Sequence, residues 1–132
     1  LGVTSTETCC HVGLPPIVRR LQDHAKELQI ELLSSNAHLD FTRLQADIAV
    51  RPAVVLADEL YGEVAAMLGF DVYAAPGSAQ NRWLAMGSAL SRTQVAKWMI
   101  ENIPAEAICA SSDSFLTLRE LAAAGLGQAI LP

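Results

Sequence analysis

The most reactive string in the sequence is Thr8-Cys9-Cys10-His11, two thiols and an imidazole within four residues. Thiolates and imidazoles ligate zinc or copper(I), and a thiol near a cation is open to oxidation. Adjacent cysteines chelate poorly, because the usual tetrahedral sites separate their nearest ligands by two or more residues. No fourth ligand follows nearby. The plainer reading is small side chains packing where a loop enters a helix. The third thiol, Cys109, lies far along the chain, and three cysteines form no disulfide framework. A metal- or redox-responsive module on Cys9, Cys10 and His11 therefore stands as an alternative function. No bound metal and no cofactor is expected.

Hydroxyls offer a second chemistry. Thr4-Ser5-Thr6-Glu7-Thr8 and Ser111-Ser112-Asp113-Ser114 each follow an expected strand and precede an expected helix. Hydroxyls and free helix N–H groups can hold a polar or anionic small molecule there. Ordinary helix capping is the competing explanation for any one of these residues. Two such loops, one in each half, favour binding. Neither contains Lys or Arg, which disfavours a strongly anionic ligand, although helix N-termini can substitute. Catalysis has little support. His24 and His38 are isolated, and Asp58, Glu59 and Glu7 have no evident acid–base partner. The nucleophile-elbow, phosphate-loop and dinucleotide fingerprints are missing, and Gly125-Leu126-Gly127 follows a helix instead of a strand. The chain is not expected to be an enzyme.

A net charge of −5 with nine Lys and Arg spread along the chain excludes a basic phosphate-binding face. Arg19, Arg20 and Lys26 cluster on one expected helix and read as its solvated side. At 52% hydrophobic residues the chain can build one core, or two small lobes, and is not disordered. Asp58, Glu59, Glu63 and Asp71 break the longest apolar runs, so no membrane span is expected. There is no signal-peptide pattern, and a cytoplasmic location is the default.

The elements that must position these residues follow from periodicity. Leu1–Thr4 reads as a strand and Ser5–Gly13 as a loop. Leu14-Pro15-Pro16 opens a helix to Leu28, with Leu14, Ile17, Val18, Leu21, Ala25 and Leu28 at helical spacing. Gln29–Leu33 is an expected strand, Ser34-Ser35-Asn36 a turn or cap, Leu39–Leu44 a short helix, and Asp47–Arg51 a strand. Such alternation argues an α/β fold with a mainly parallel sheet, its strand ends and loops along one edge. Tyr61–Leu68 and Phe70–Ala75 read as a hairpin, although Val64–Leu68 suits a helix equally well. Ser91 is an expected cap for a helix to about Asn102. Glu106–Ala110 is an expected strand, Ser111–Ser114 the cap cluster of a helix Phe115–Ala124, Gly125 its left-handed terminator, and Gly127–Leu131 the last strand.

Several of these segments together resemble one family. Leu14-Pro15-Pro16-Ile17-Val18-Arg19-Arg20-Leu21 looks like the opening helix of the effector domains of bacterial LysR-type transcriptional regulators. Gln29-Ile30-Glu31-Leu32 is similar to their second strand. Leu44-Gln45-Ala46-Asp47-Ile48-Ala49-Val50-Arg51 resembles their "L-eGeaDlAIR" run, with Gln45 in place of the usual glycine-containing turn. Phe70-Asp71-Val72-Tyr73-Ala74-Ala75-Pro76 and the stretch from Ser111 to Gly125-Leu126-Gly127…Leu131-Pro132 match in order and spacing. The resemblance implies a periplasmic-binding-protein type 2 architecture, two α/β lobes with an interlobe cleft, divided as residues 1–71 and 72–132. It implies a small-molecule effector contacted by Thr4, Ser5 and Thr6, by Ser35 and Asn36, and by Ser112. It also implies a homodimer or tetramer through the Leu14–Leu28 and Phe115–Ala124 helices. DNA would be bound only through an N-terminal winged helix-turn-helix that this sequence lacks, and the second lobe is expected to be incomplete at its C-terminus. A solute-binding transport protein shares the fold and is the other alternative.

Overall fold

The computed structural model describes residues 1–37, 46–56, 58 and 60–132. These form two compact units, Leu1–Ser34 with Phe41–Gly69, and Ser35–Asp40 with Phe70–Pro132. The helix expected over residues 39–44, along with His38 and Glu59, lies outside the described residues.

The first unit is a parallel sheet of β1 (Gly2–Ser5), β2 (Glu31–Ser34) and β3 (Ile48–Val50), in the order β2-β1-β3. Its register pairs Ser5 with both Ser34 and Val50, so all three strands end at one edge. Asp47 fastens the other end: Gly2 N–H donates to its carboxylate and its own N–H donates to the Gly2 carbonyl, both at 2.8 Å.

The loop expected over residues 5–13 is instead helical from Glu7. A π-helical turn, Cys9–Gly13, runs straight into α1 (Leu14–His24), with the Leu14 N–H bonded to the Cys9 carbonyl five residues back. The reason lies in the two prolines. Pro15 and Pro16 lack N–H groups, and their rings crowd the preceding turn, which a widened turn accommodates. At the other end α1 stops at His24, short of the expected Leu28, because Ala25 leaves the helical region at φ −137°. That turn lets the chain return to pair Glu31 with Gly2.

The second unit holds β4 (Asp71–Tyr73), β5 (Trp83–Met86), β6 (Ile108–Ser112) and β7 (Gln128–Leu131), in the order β4-β7-β5-β6. Only β4 runs antiparallel, against β7. The expected hairpin does not form: residues 60–70 carry no regular structure, and Tyr61, Val64 and Met67 are exposed. Beta-leaning side chains make a strand only where a surface receives them. Strand β5 had no counterpart among the expected elements, and β6 begins two residues later than expected.

Helix α2 (Gln94–Asn102) is capped by Thr93, whose hydroxyl accepts from the Ala96 N–H at 3.1 Å. Ser91, the expected cap, instead closes a 3-10 turn by donating to the Ser88 carbonyl. Helix α3 (Phe115–Ala123) is capped by Ser114. It ends as its sequence requires, with Gly125 at φ +82° and paired bonds from Leu126 N–H to Leu121 O and Gly125 N–H to Ala122 O. Its face packs Phe115, Leu118 and Ala122 on Leu84, Ala129 and Leu131. Phe70 adds an aromatic contact to Phe115, with ring centroids 5.7 Å apart.

Candidate functional site

In the first unit, the row Ser5–Ser34–Val50 closes the sheet and the next residues, Thr6, Ser35 and Arg51, stand at its edge. Thr4 and Ser5 are fully buried in β1. The Ser5 hydroxyl donates to the Val50 carbonyl and so locks β1 to β3. Thr4 Oγ1 and Thr8 Oγ1 are buried with no hydrogen-bond partner. Such an orphan is costly in a finished core.

Arg51 was not singled out by the sequence, yet it reaches this edge. Burial lowers its guanidinium from the ordinary value, and the neighbouring thiols of Cys10 and Cys9 offset part of that effect. The two cysteines therefore sit in the first helical turns close to Arg51. Among the described residues, no group of three His, Cys, Asp or Glu side chains comes together to hold a metal ion. Cys109 has a structural place in the other unit, with its thiol on the carbonyls of Trp83 and Leu126.

In the second unit, Ser111 and Ser112 belong to β6, and only Ser114 caps α3. Ser112 Oγ accepts from the Ser114 N–H at 3.2 Å, which shapes the turn into the helix. Asn36 Nδ2 donates to the Asp113 carbonyl at 3.0 Å, so two of the expected site residues, Asn36 and Ser112, meet at one turn. Ser35 Oγ accepts from the Ala37 N–H just before it. Gly87, a residue the sequence did not flag, donates its N–H to the Ser112 carbonyl at 2.6 Å. A Cβ there would lie 2.9 Å from the Ser112 carbonyl carbon, so only glycine allows this approach. A separate cavity of about 280 Å³ is lined by Met86, Met99, Ile103 and Ile108. Its one hydroxyl, Ser91, is already bonded, so it offers little polar readout.

Parallel strands ending in hydroxyl-bearing turns, in two α/β units, define a ligand-binding domain of the periplasmic-binding-protein type 2 class. The LysR substrate binding domain model matches residues 1–132, and the chain belongs to that family. Effector sensing for a LysR-type transcriptional regulator follows from that membership.

The fold is similar to the effector domain of the transcriptional regulator AmpR of Pseudomonas aeruginosa, at TM-score 0.79 and 18% identity, covering 100% of this chain and 69% of that one. The effector-binding domain of QuiR, solved with shikimate, aligns at TM-score 0.76 and 14% identity, covering 100% and 72%. The AmpR effector-binding domain from Citrobacter freundii aligns at 0.68 and 18%, again covering 100% and 72%. No curated protein sequence matches the chain.

Proposed function

We propose that this domain binds a small effector without turning it over, using the hydroxyl-bearing strand ends. Thr6, Ser35, Asn36 and Ser112 contact the effector, while Thr4 and Ser5 form the floor beneath them. The observation that carries this reading is the β1 edge, where a fully buried Thr4 hydroxyl is left without a partner in a family that senses ligands. The two lobes of the effector domain divide near residue 71. The regulator acts on DNA through a winged helix-turn-helix domain, is cytoplasmic, and assembles as a homodimer or tetramer. Exposed Ile17 and Leu21 on α1 support a role for that helix in pairing with the α3 region of another copy. No helix among the described residues is long and apolar enough to cross a membrane.

A thermal-shift screen against small metabolites, shikimate among them, finds the effector, since a ligand of the native state raises its stability. Calorimetry on Thr6→Ala and Ser112→Ala then shows about tenfold weaker binding each, the size of one lost hydrogen bond with its partner stranded. Unchanged affinity in both variants rejects this assignment of the site.

A further inference from the structure

The two helices of the second unit cover its sheet unequally. Helix α3 brings Phe115, Leu118 and Ala122 onto Leu84, Ala129 and Leu131, and Leu84 and Leu118 are fully buried there. Helix α2 buries Ala96 and Met99, yet a cavity of about 280 Å³ remains beside them. Its other walls are Ala85 and Met86 of β5, Ile103 at the end of α2 and Ile108 at the start of β6. Short side chains at Ala85 and Ala96 leave the volume unfilled, where α3 fills its side with Leu118. All of these residues belong to one compact unit. Exposed Ser91 and Ile100 also line the cavity and stand at its rim.

An apolar void lowers stability in proportion to its volume, so a fitting occupant is bound favourably. An apolar cavity of about 150 Å³ stays dry and takes up benzene. This one has nearly twice that volume, which suits two fused rings. We propose that the cavity is a second ligand site, separate from the hydroxyl-bearing strand ends, and that it takes a neutral, two-ring aromatic molecule. None of the described residues that line it is ionisable, so a charged group would enter without a partner and lose its water. The thioethers of Met86 and Met99 flank the space, and sulfur is attracted to an aromatic ring more than to a saturated one. The Ser91 hydroxyl spends its proton on the Ser88 carbonyl, so at the rim it can only accept, which favours a ligand carrying one O–H or N–H. The site is independent of the effector reading, because it shares no residue with Thr4, Thr6, Ser35, Asn36 or Ser112.

The test is an NMR titration of the whole chain with carbon-13 in its methionine methyl groups. Met86 and Met99 report from the cavity wall, and Met67, 91% exposed in the other unit, is the control. Naphthol is expected to shift the Met86 and Met99 signals saturably through its ring current and to leave Met67 in place. Naphthoate, the same rings with a negative charge, binds at least tenfold more weakly, and the saturated alcohol decahydronaphthol severalfold more weakly. Ala96→Leu suits a helix and reaches into the space, so it loses tenfold or more in naphthol affinity. Still signals at Met86 and Met99, an equal shift at Met67, equal binding of naphthoate or of the saturated alcohol, or unchanged affinity in Ala96→Leu overturns the proposal. If Ala96→Leu fails to fold, the comparison of the three probes on the natural chain still decides. A metabolite whose binding weakens in Thr6→Ala and Ser112→Ala, while naphthol moves nothing, leaves effector sensing standing and removes this site.

Discussion

In the second unit, Leu84, Leu118 and Ala129 are completely sealed, and seven buried apolar side chains form one cluster. Among the described residues of the first, the most deeply buried side chains are two hydroxyls, Thr4 and Ser5, with Val3 and Leu14 as buried apolar companions. The second unit is therefore held by packing and by glycine-permitted backbone approaches. The first is held by strand register and polar pairing, and it keeps unspent hydrogen-bonding capacity. A sensing domain needs both: a rigid frame, and an edge whose satisfaction depends on what binds. The difference also divides the two candidate sites. At Ser112 and Asn36 the polar groups already serve the turn, whereas the buried Thr4 hydroxyl has no hydrogen-bond partner.

The largest expected effect breaks the packed half. Leu118→Ala empties the centre of the α3–sheet contact and should cost about 2–5 kcal/mol, the range for buried leucine truncation. Hydrogen exchange should show protection falling first in β5, β6 and β7. If the β1 amides at Thr4 and Ser5 lose protection in equal measure, the two units are one cooperative block and the contrast between them is not energetic.

Gly87→Ala is next. Its Cβ would meet the Ser112 carbonyl carbon at 2.9 Å and the Asp113 nitrogen at 3.0 Å, backbone that cannot swing away. The expected loss is about 1–3 kcal/mol, typical of overpacking, with the end of β6 displaced. Thermal denaturation measures the loss. Amide shifts at residues 112–114 locate it, and a change spread evenly over the unit would show that Gly87 has no special hold on that turn.

The sequence showed the alternation of strands and helices, the α3 terminator at Gly125 and the hydroxyl-rich strand ends, because these depend on local rules. What it hid depends on tertiary setting. Trp83-Leu84-Ala85-Met86 makes the central strand β5 without a β-branched residue and without alternation, because a strand flanked on both sides need not alternate. Residues 60–70 had the composition of strands and no surface to pack on. Glu7 to Gly13 joins a helix despite weak propensity, because the prolines lie inside a longer helical run and the π turn absorbs them. Arg51 was read as the last residue of an expected strand, whereas β3 ends at Val50. Only the register of β1 against β3 brings it to the hydroxyls.

Ser5→Ala probes the polar half. The hydroxyl bond to the Val50 carbonyl is lost inside a fully buried strand, and the expected cost is about 1–2 kcal/mol. The readout is exchange at residues 48–51, where fraying should appear ahead of any change in β7.

Thr4→Val is the smallest change and the sharpest test of the contrast. It swaps a buried, unpartnered hydroxyl for a methyl of nearly the same shape. In an ordinary core this should stabilise the domain by about 1 kcal/mol, because the desolvation cost of the orphan oxygen disappears. The ligand-free chain should therefore melt slightly higher. If that oxygen is held for an effector, the stabilised variant should at the same time lose affinity for the metabolite found in the thermal-shift screen, so stability and binding move in opposite directions. A drop in stability would mean that Thr4 Oγ1 is satisfied in solution, by a water that completes its bonding, and the first unit would then be a finished polar core like any other. Higher stability with intact binding would leave the hydroxyl as a plain defect of packing and return the burden of ligand reading to Thr6.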